Sequence, residues 1–125
     1  MTLATFDNQE RLKSKEEINH LFTNGKRIYD SPLVVIWDTT DRNDSFTKVA
    51  FSVPKKHLPK AVSRNRVKRL LRESYRKHKT HILTKLQSNR KGLKMLIIYT
   101  DSIVKSYVEI EAKISVTLQR LSRQV

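Results

Sequence analysis

Between Arg64 and Arg76 the chain places arginine or lysine at positions 64, 66, 68, 69, 72 and 76, with Asn65 between the first two arginines and Glu73 as the single acid. A planar guanidinium carries five donors and can hold two phosphate oxygens at once or stack on a base, whereas lysine supplies a mobile point charge. Arginines at this density are the chemistry of a polyanion grip. Asn65 adds a donor and an acceptor that phosphate binding alone does not need, which suits reading of shape or base edges. At about 100° per residue the segment sorts into two faces. Val67, Leu70, Leu71, Ser74 and His78 make a stripe suited to a core, while Lys68, Arg69, Arg72, Arg76 and Lys79 occupy a neighbouring arc with Asn65 in its middle and Arg64 at its edge. With one acid in the run, intrahelical ion pairs cannot neutralise that arc, unlike an ordinary solvated helix face.

The bulk charge agrees. The 125 residues carry 26 Lys+Arg against 12 Asp+Glu, a net charge of +14 with pI near 10.3, a field that attracts polyanions, of which nucleic acid is the common one. Residues 55–79 hold eleven basic residues and one acid, so ten of the fourteen net charges sit in one segment. A hydrophobic content of 38% is enough for one core at this size, so a single domain over 1–125 is expected, with 1–9 as a flexible N-terminal segment. The chain has no cysteine, which excludes disulfides, thiolate catalysis and cysteine-ligated zinc and fits a cytoplasmic setting. The first residues lack the order of a secretory signal, and no apolar run approaches the ~20 residues of a membrane span, so no membrane partner is expected.

The elements that position the basic segment follow from local patterns. Ser14 with Glu17 fits a capping box, Ile18, Leu21 and Phe22 fall at helical spacing, and Gly25 suits a left-handed residue after the helix end; together they predict a helix over 15–24. Leu33–Trp37 and Phe46–Val53 read as strands joined by a polar connection, and Leu93–Tyr99 as a third, nearly continuous apolar strand. Ser63 is placed to cap the long basic helix from about Arg64. Ser106 with Glu109 predicts a last helix whose apolar face is Val108, Ile110, Ile114, Leu118 and Leu121. The order αββαβα describes an α+β sandwich with residues 55–92 as the crossover between the last two strands.

Other candidate chemistry is sparse. Trp37, Phe46, Phe51 and Tyr99 lie on predicted strands, where core packing is the ordinary role of an aromatic, and Tyr75 sits at the border of the basic arc. His78 and His81 share a helix face without a nearby carboxylate or cysteine to complete a zinc site. Asp38, Asp41 and Asp44 are the only local acidic cluster, and a solvated turn explains them better than a nuclease centre. No nucleophile–base–acid set can be assembled.

Lys48–Lys56, with its Val-Ala-Phe-Ser-Val-Pro-Lys-Lys run, and Ala61–Glu73, with its Arg-Asn-Arg motif, resemble the signature of the bacterial ribonuclease P protein family, and the resemblance extends over about residues 10–123. It implies an α/β sandwich with a left-handed βαβ crossover. It also implies a protein that does not cut RNA itself: the partner RNA is the catalyst, with magnesium bound mainly by that RNA. Two tasks follow, docking on the catalytic RNA and holding the single-stranded 5′ leader of precursor tRNA in a cleft between the first helix and the sheet, with no obligate protein partner. Arg64, Asn65, Arg66, Lys68, Arg69 and Arg72 fall on the docking motif, Lys55 and Lys56 on the basic turn before it, and Arg76 lies on the same arc. Phe22 matches an aromatic of the leader cleft. Ile18 stands where many members have a second aromatic and would supply an apolar wall, and His57–Lys60 replaces a shorter, usually glycine-containing turn. A ribosomal or generic RNA-binding module would share the charge patch without assisting leader removal.

Overall fold

A computed structural model describes residues 11–40 and 46–125. The N-terminal segment 1–9 and the acids Asp41 and Asp44 therefore lie outside the described residues. The elements are α1 (Lys15–Asn24), β1 (Lys26–Asp30), β2 (Leu33–Thr40), β3 (Thr47–Ser52), α2 (Ala61–His78), α3 (Thr80–Asn89), β4 (Gly92–Tyr99) and α4 (Tyr107–Ser122). The α+β class stands, but the order αββαβα is corrected to αβββααβα. One strand, β1, was not expected, and the crossover helix divides at Lys79 into α2 and α3.

The sheet runs β1-β2-β4-β3, antiparallel except for the parallel β3–β4 pair that α2 and α3 connect. The two strands flanking the polar connection are thus not neighbours, because β4 inserts between them. Side chains alternate across the sheet, so each face takes every second residue. One face, with Ile28, Val35, Trp37, Val49, Met95 and Ile97, packs against Val67, Leu71 and Tyr75 of α2, Ile82 and Leu86 of α3, and Ile110, Ile114 and Leu118 of α4. Trp37 and Tyr99 are core residues, and the half-buried Phe51 ring meets Tyr75 edge-on at 6.0 Å. Burial pushes the Tyr99 hydroxyl pKa up, and this hydroxyl donates to Ile103 O at 2.5 Å and accepts from Lys105 N at 3.2 Å, which ties the loop leading to α4.

The caps behave unequally. Ser106 and Glu109 form the reciprocal capping box at α4, as expected. At α1 the Ser14 hydroxyl caps the Glu17 amide at 3.3 Å, and the Glu17 carboxylate reaches Lys94 on β4 at 2.6 Å. Gly25 does not take the left-handed conformation; its φ is −71° and ψ 156°. Glycine is required there by proximity, since a Cβ would lie 2.6 Å from Leu21 O and 2.7 Å from Ile36 Cγ2. Ser63 is no cap either, because α2 begins two residues earlier with Lys60 at the N-cap. Val108 faces solvent at 75% exposure, since α4 turns its other side to the core.

The buried stripe of α2 is Val67, Leu71, Ser74 and Tyr75. Leu70 and His78 are half-buried at its margins, and Tyr75 takes the place the sequence pattern offered to them. Leu71→Ala is accordingly expected to cost about 2–5 kcal/mol of stability. Leu70→Ala, at a site still partly wetted, should cost less than about 2 kcal/mol. Denaturant unfolding of the two variants checks the order; equal losses would place both side chains at the same depth.

Candidate nucleic-acid interface

Packing the apolar stripe of α2 against β3 and α4 leaves the opposite arc to water. Asn65, Arg66 and Arg69 are exposed there, and Lys68 and Arg72 are half-buried where the arc meets the sheet edge. Among the described residues none of Arg66, Lys68, Arg69 and Arg72 has an ion-pair or hydrogen-bond partner. Unpaired guanidinium groups held on a rigid helix repel one another and are relieved by a polyanion. Lys55 and Lys56 are exposed in the turn that precedes the helix and extend the same basic surface.

Two of the expected docking residues are partly committed elsewhere. The Arg64 guanidinium donates from Nη1 to Leu58 O at 3.0 Å and to Pro59 O at 2.6 Å. It thereby clamps the His57–Lys60 turn, whose Leu58 side chain is buried and whose His57 and Leu58 amides both donate to Pro54 O. Arg76 is held by Glu73 through both ends of its guanidinium, with Nε on Oε2 at 3.3 Å and Nη2 on Oε1. The contact holds the Glu73 carboxyl below the usual carboxylate range and raises Arg76. Arg76 therefore has its charge answered locally. Lys79 leaves the arc altogether: at 2% exposure, where α2 gives way to α3, it lies 6.0 Å from the Tyr75 ring.

Among the described residues, the second face of the sheet is covered by α1 and, at the edge of β3, by Leu12 of the segment before it. This helix has 10 residues and is roughly 15 Å long. It packs on β2 and β4 through Leu21 against Ile36 and Leu96 and leaves Ile18, Val34, Ala50 and Ile98 only partly buried. At the outer edge of β3, where Leu12 N donates to Val49 O at 2.9 Å, a cleft of about 340 Å³ opens between Ile18, Ala50, Lys68 and Arg72. From Ala50 the strand register continues this trough along the same face through Ser52, Ile98 and Val34 to Tyr29. Its α2 end is basic, its floor apolar and its β1 end aromatic.

Phe22 lies toward that last end and is 51% exposed, so it is not a core residue. Arg27 fixes it: the guanidinium sits 5.0 Å from the ring centroid and Nη2 donates to Phe22 O at 2.6 Å. Tyr29, 68% exposed, joins Phe22 as a candidate that the sequence pattern does not single out. A signal existed in Lys26–Asp30, where Ile28 alone is apolar between polar neighbours and Gly25 and Ser31-Pro32 bracket the run, but one buried position makes a weak alternation. The structure thus brings Ile18 together with Lys68 and Arg72 and places Phe22 away from them, toward the aromatic end.

The histidines gain a neighbour that the sequence did not reveal, Glu111 Oε2 at 4.0 Å from His78 Nε2. Among the described residues, no group of three or more His, Asp or Glu side chains is placed to hold a metal ion, and no helix is long and apolar enough to cross a membrane.

Comparison with known proteins bears on this arrangement. A family model described as Ribonuclease P matches residues 6–122. The ribonuclease P protein component of Porphyromonas gingivalis is 40% identical over 90 residues, covering 70% of this chain and 65% of its own length. That of Macrococcus caseolyticus is 36% identical over 73 residues, covering 58% of this chain and 62% of its own. The match therefore spans under two thirds of these relatives. The fold is shared with the RNase P protein of Staphylococcus aureus, with TM-score 0.72 at 24% identity over 90% of this chain and 94% of that one. The corresponding values for the protein from Thermotoga maritima are 0.68, 23%, 89% and 96%.

The differing commitments of the arginines separate experimentally. Arg66→Ala is expected to flatten the salt dependence of RNA binding by about one unit of log–log slope with a near-parental melt. Arg64→Ala should lower the melting temperature as well, because two carbonyls lose their donor. Binding titrations across a salt series, paired with thermal melts, check both; a parental melt for Arg64→Ala would mean that the clamp contributes nothing.

Proposed function

Since this chain belongs to the ribonuclease P protein family, we propose that it is the protein subunit of a ribonuclease P that removes the 5′ leader from precursor tRNA. The observation that carries the proposal is the adjacency of two unlike surfaces. A rigid helix presents unpaired arginines and Asn65, and an apolar trough with one basic and one aromatic end starts at the edge of that helix, where Lys68 and Arg72 belong to both.

The arc of Asn65, Arg66 and Arg69, with Lys55 and Lys56, docks on the catalytic RNA. Guanidinium groups engage its phosphates, and Asn65 reads a shape or base edge that charge alone cannot distinguish. The leader, a single strand, lies in the trough. Lys68 and Arg72 meet its backbone, Ile18, Val34 and Ile98 offer a floor too narrow and apolar for a duplex, and Phe22 and Tyr29 provide faces on which bases stack without strong sequence demand. Arg27 holds one side of the Phe22 ring, so the other is presented to the ligand. Hydrolysis would belong to the RNA, where bound magnesium would supply activation of water and charge stabilisation at the leaving oxygen. The protein acts by binding: it lowers the charge repulsion between two RNAs and holds the leader in one path.

Mixed with a bacterial ribonuclease P RNA at low magnesium, the protein is expected to accelerate cleavage of a precursor at its mature 5′ end. RNA binding without acceleration would leave a generic RNA-binding module in its place. Phe22→Ala and Tyr29→Ala should each weaken the complex with leader-bearing precursor by about 1–3 kcal/mol and barely affect mature tRNA. Equal losses on both ligands in folded variants would remove the leader from the trough.

A further inference from the structure

The turn between α3 and β4 carries cations that neither the core nor the docking helix uses. Arg90 is the only non-glycine residue with positive φ among the described residues, at φ 54° and ψ 45°. Its backbone amide closes the end of α3 on Gln87 O and Leu86 O, the position at which helices favour glycine because a Cβ is strained in the left-handed region. Asn89, of a type that tolerates this conformation, stays helical instead, with its side-chain amide 3.4 Å from Val125 O. The strained position is thus occupied by a long cation that fold stability does not ask for. Its side chain is exposed and, among the described residues, has no ion-pair or hydrogen-bond partner, nor has the side chain of Lys91 beside it.

The surroundings reinforce the charge. Lys48 and Lys94 pair in register at the same end of the sheet, and Lys94 is already answered by Glu17. Asp38, opposite Lys94, accepts from the Thr39 amide at 2.9 Å. Arg90, Lys91 and Lys48 therefore remain as cations without a described carboxylate to meet them. The corner is closely packed, because a Cβ on Gly92 would collide with the Phe46 ring.

Topology sets this corner apart from the docking motif. The chain leaves β3 at its far end to enter α2 and returns to β4 at the near end, so Arg64–Arg66 and Arg90–Lys91 lie at opposite ends of parallel strands. The 8 residues of β4 span roughly 25 Å. Resting on the ribonuclease P reading, we propose that the Arg90–Lys91 turn is a second RNA-phosphate contact, at the opposite end of the sheet, through which the protein bridges two separate segments of RNA backbone.

Arg90→Gly tests this without risk of unfolding, because glycine relieves the strained backbone while removing the charge. The variant is expected to melt at or above the parent and to bind RNA about fivefold more weakly at 0.15 M salt, with a slope reduced by about one. Arg90→Lys should keep the parental slope. Two arms separate the sources of phosphate: loss toward ribonuclease P RNA alone assigns the contact to the catalytic RNA, and loss only when holoenzyme binds precursor tRNA assigns it to the substrate. Unchanged affinity and slope in both arms overturn the proposal. Arg66→Ala run alongside keeps the two readings apart. If it loses affinity while Arg90→Gly does not, only the second contact fails; if neither loses, docking through α2 fails first.

Discussion

Everything in this structure depends on how α2 is seated. Val67, Leu71, Ser74 and Tyr75 are buried against the sheet and α4, and their burial fixes the rotation of a helix rich in arginine and lysine. Hydrophobic burial of Val67, Leu71 and Tyr75 has to outweigh the repulsion among cations placed side by side, and it can do so because the two lie on different arcs of the same helix. The helix is then both a wall of the core and the charged surface. A shift in its rotation would point cations into the core and apolar residues at the ligand, so the surface is as rigid as the packing behind it.

The second face of the sheet has the opposite character. Three helices cover the first face, while among the described residues the other is covered, besides Leu12 at the edge of β3, by α1, which packs on β2 and β4. Its position is pinned at both ends, by Glu17 on Lys94 and by the close approach of Gly25 to Ile36, so it cannot slide to close the remaining trough. Partly buried Val34, Ala50 and Ile98 are consequences of that shortfall. An apolar row that the described residues bury only in part, beside unpaired cations, is what a single-stranded polyanion with stackable bases can occupy.

Charge is distributed by commitment as much as by number. Arg64 secures the turn into α2, Arg76 is answered by Glu73 and Lys79 is buried, whereas Arg66, Lys68, Arg69 and Arg72 remain available. Three of the eleven cations of the basic segment are thus committed within the protein, and the net charge of the segment overstates what a ligand meets.

The sequence by itself determined the helices and strands whose signals are local: the 15–24 helix with Ser14 at its cap, the capping box at Ser106, the Leu93–Tyr99 run, the two arcs of the basic helix, and the family motif around Arg64-Asn65-Arg66. Each of these reads from residues within a few turns of one another, where periodicity and capping are decided. Tertiary structure alone decided the rest. It made Lys26–Asp30 a strand, because pairing with β2 supplies what a single buried Ile28 could not. It inserted β4 between β2 and β3, gave Gly25 its role through a neighbour eleven residues away, buried Lys79, tied Arg64 to its own turn, and brought Lys68 and Arg72 beside Ile18. These outcomes turn on which distant surfaces meet, and a pattern along one segment carries no information about the element that will pack against it.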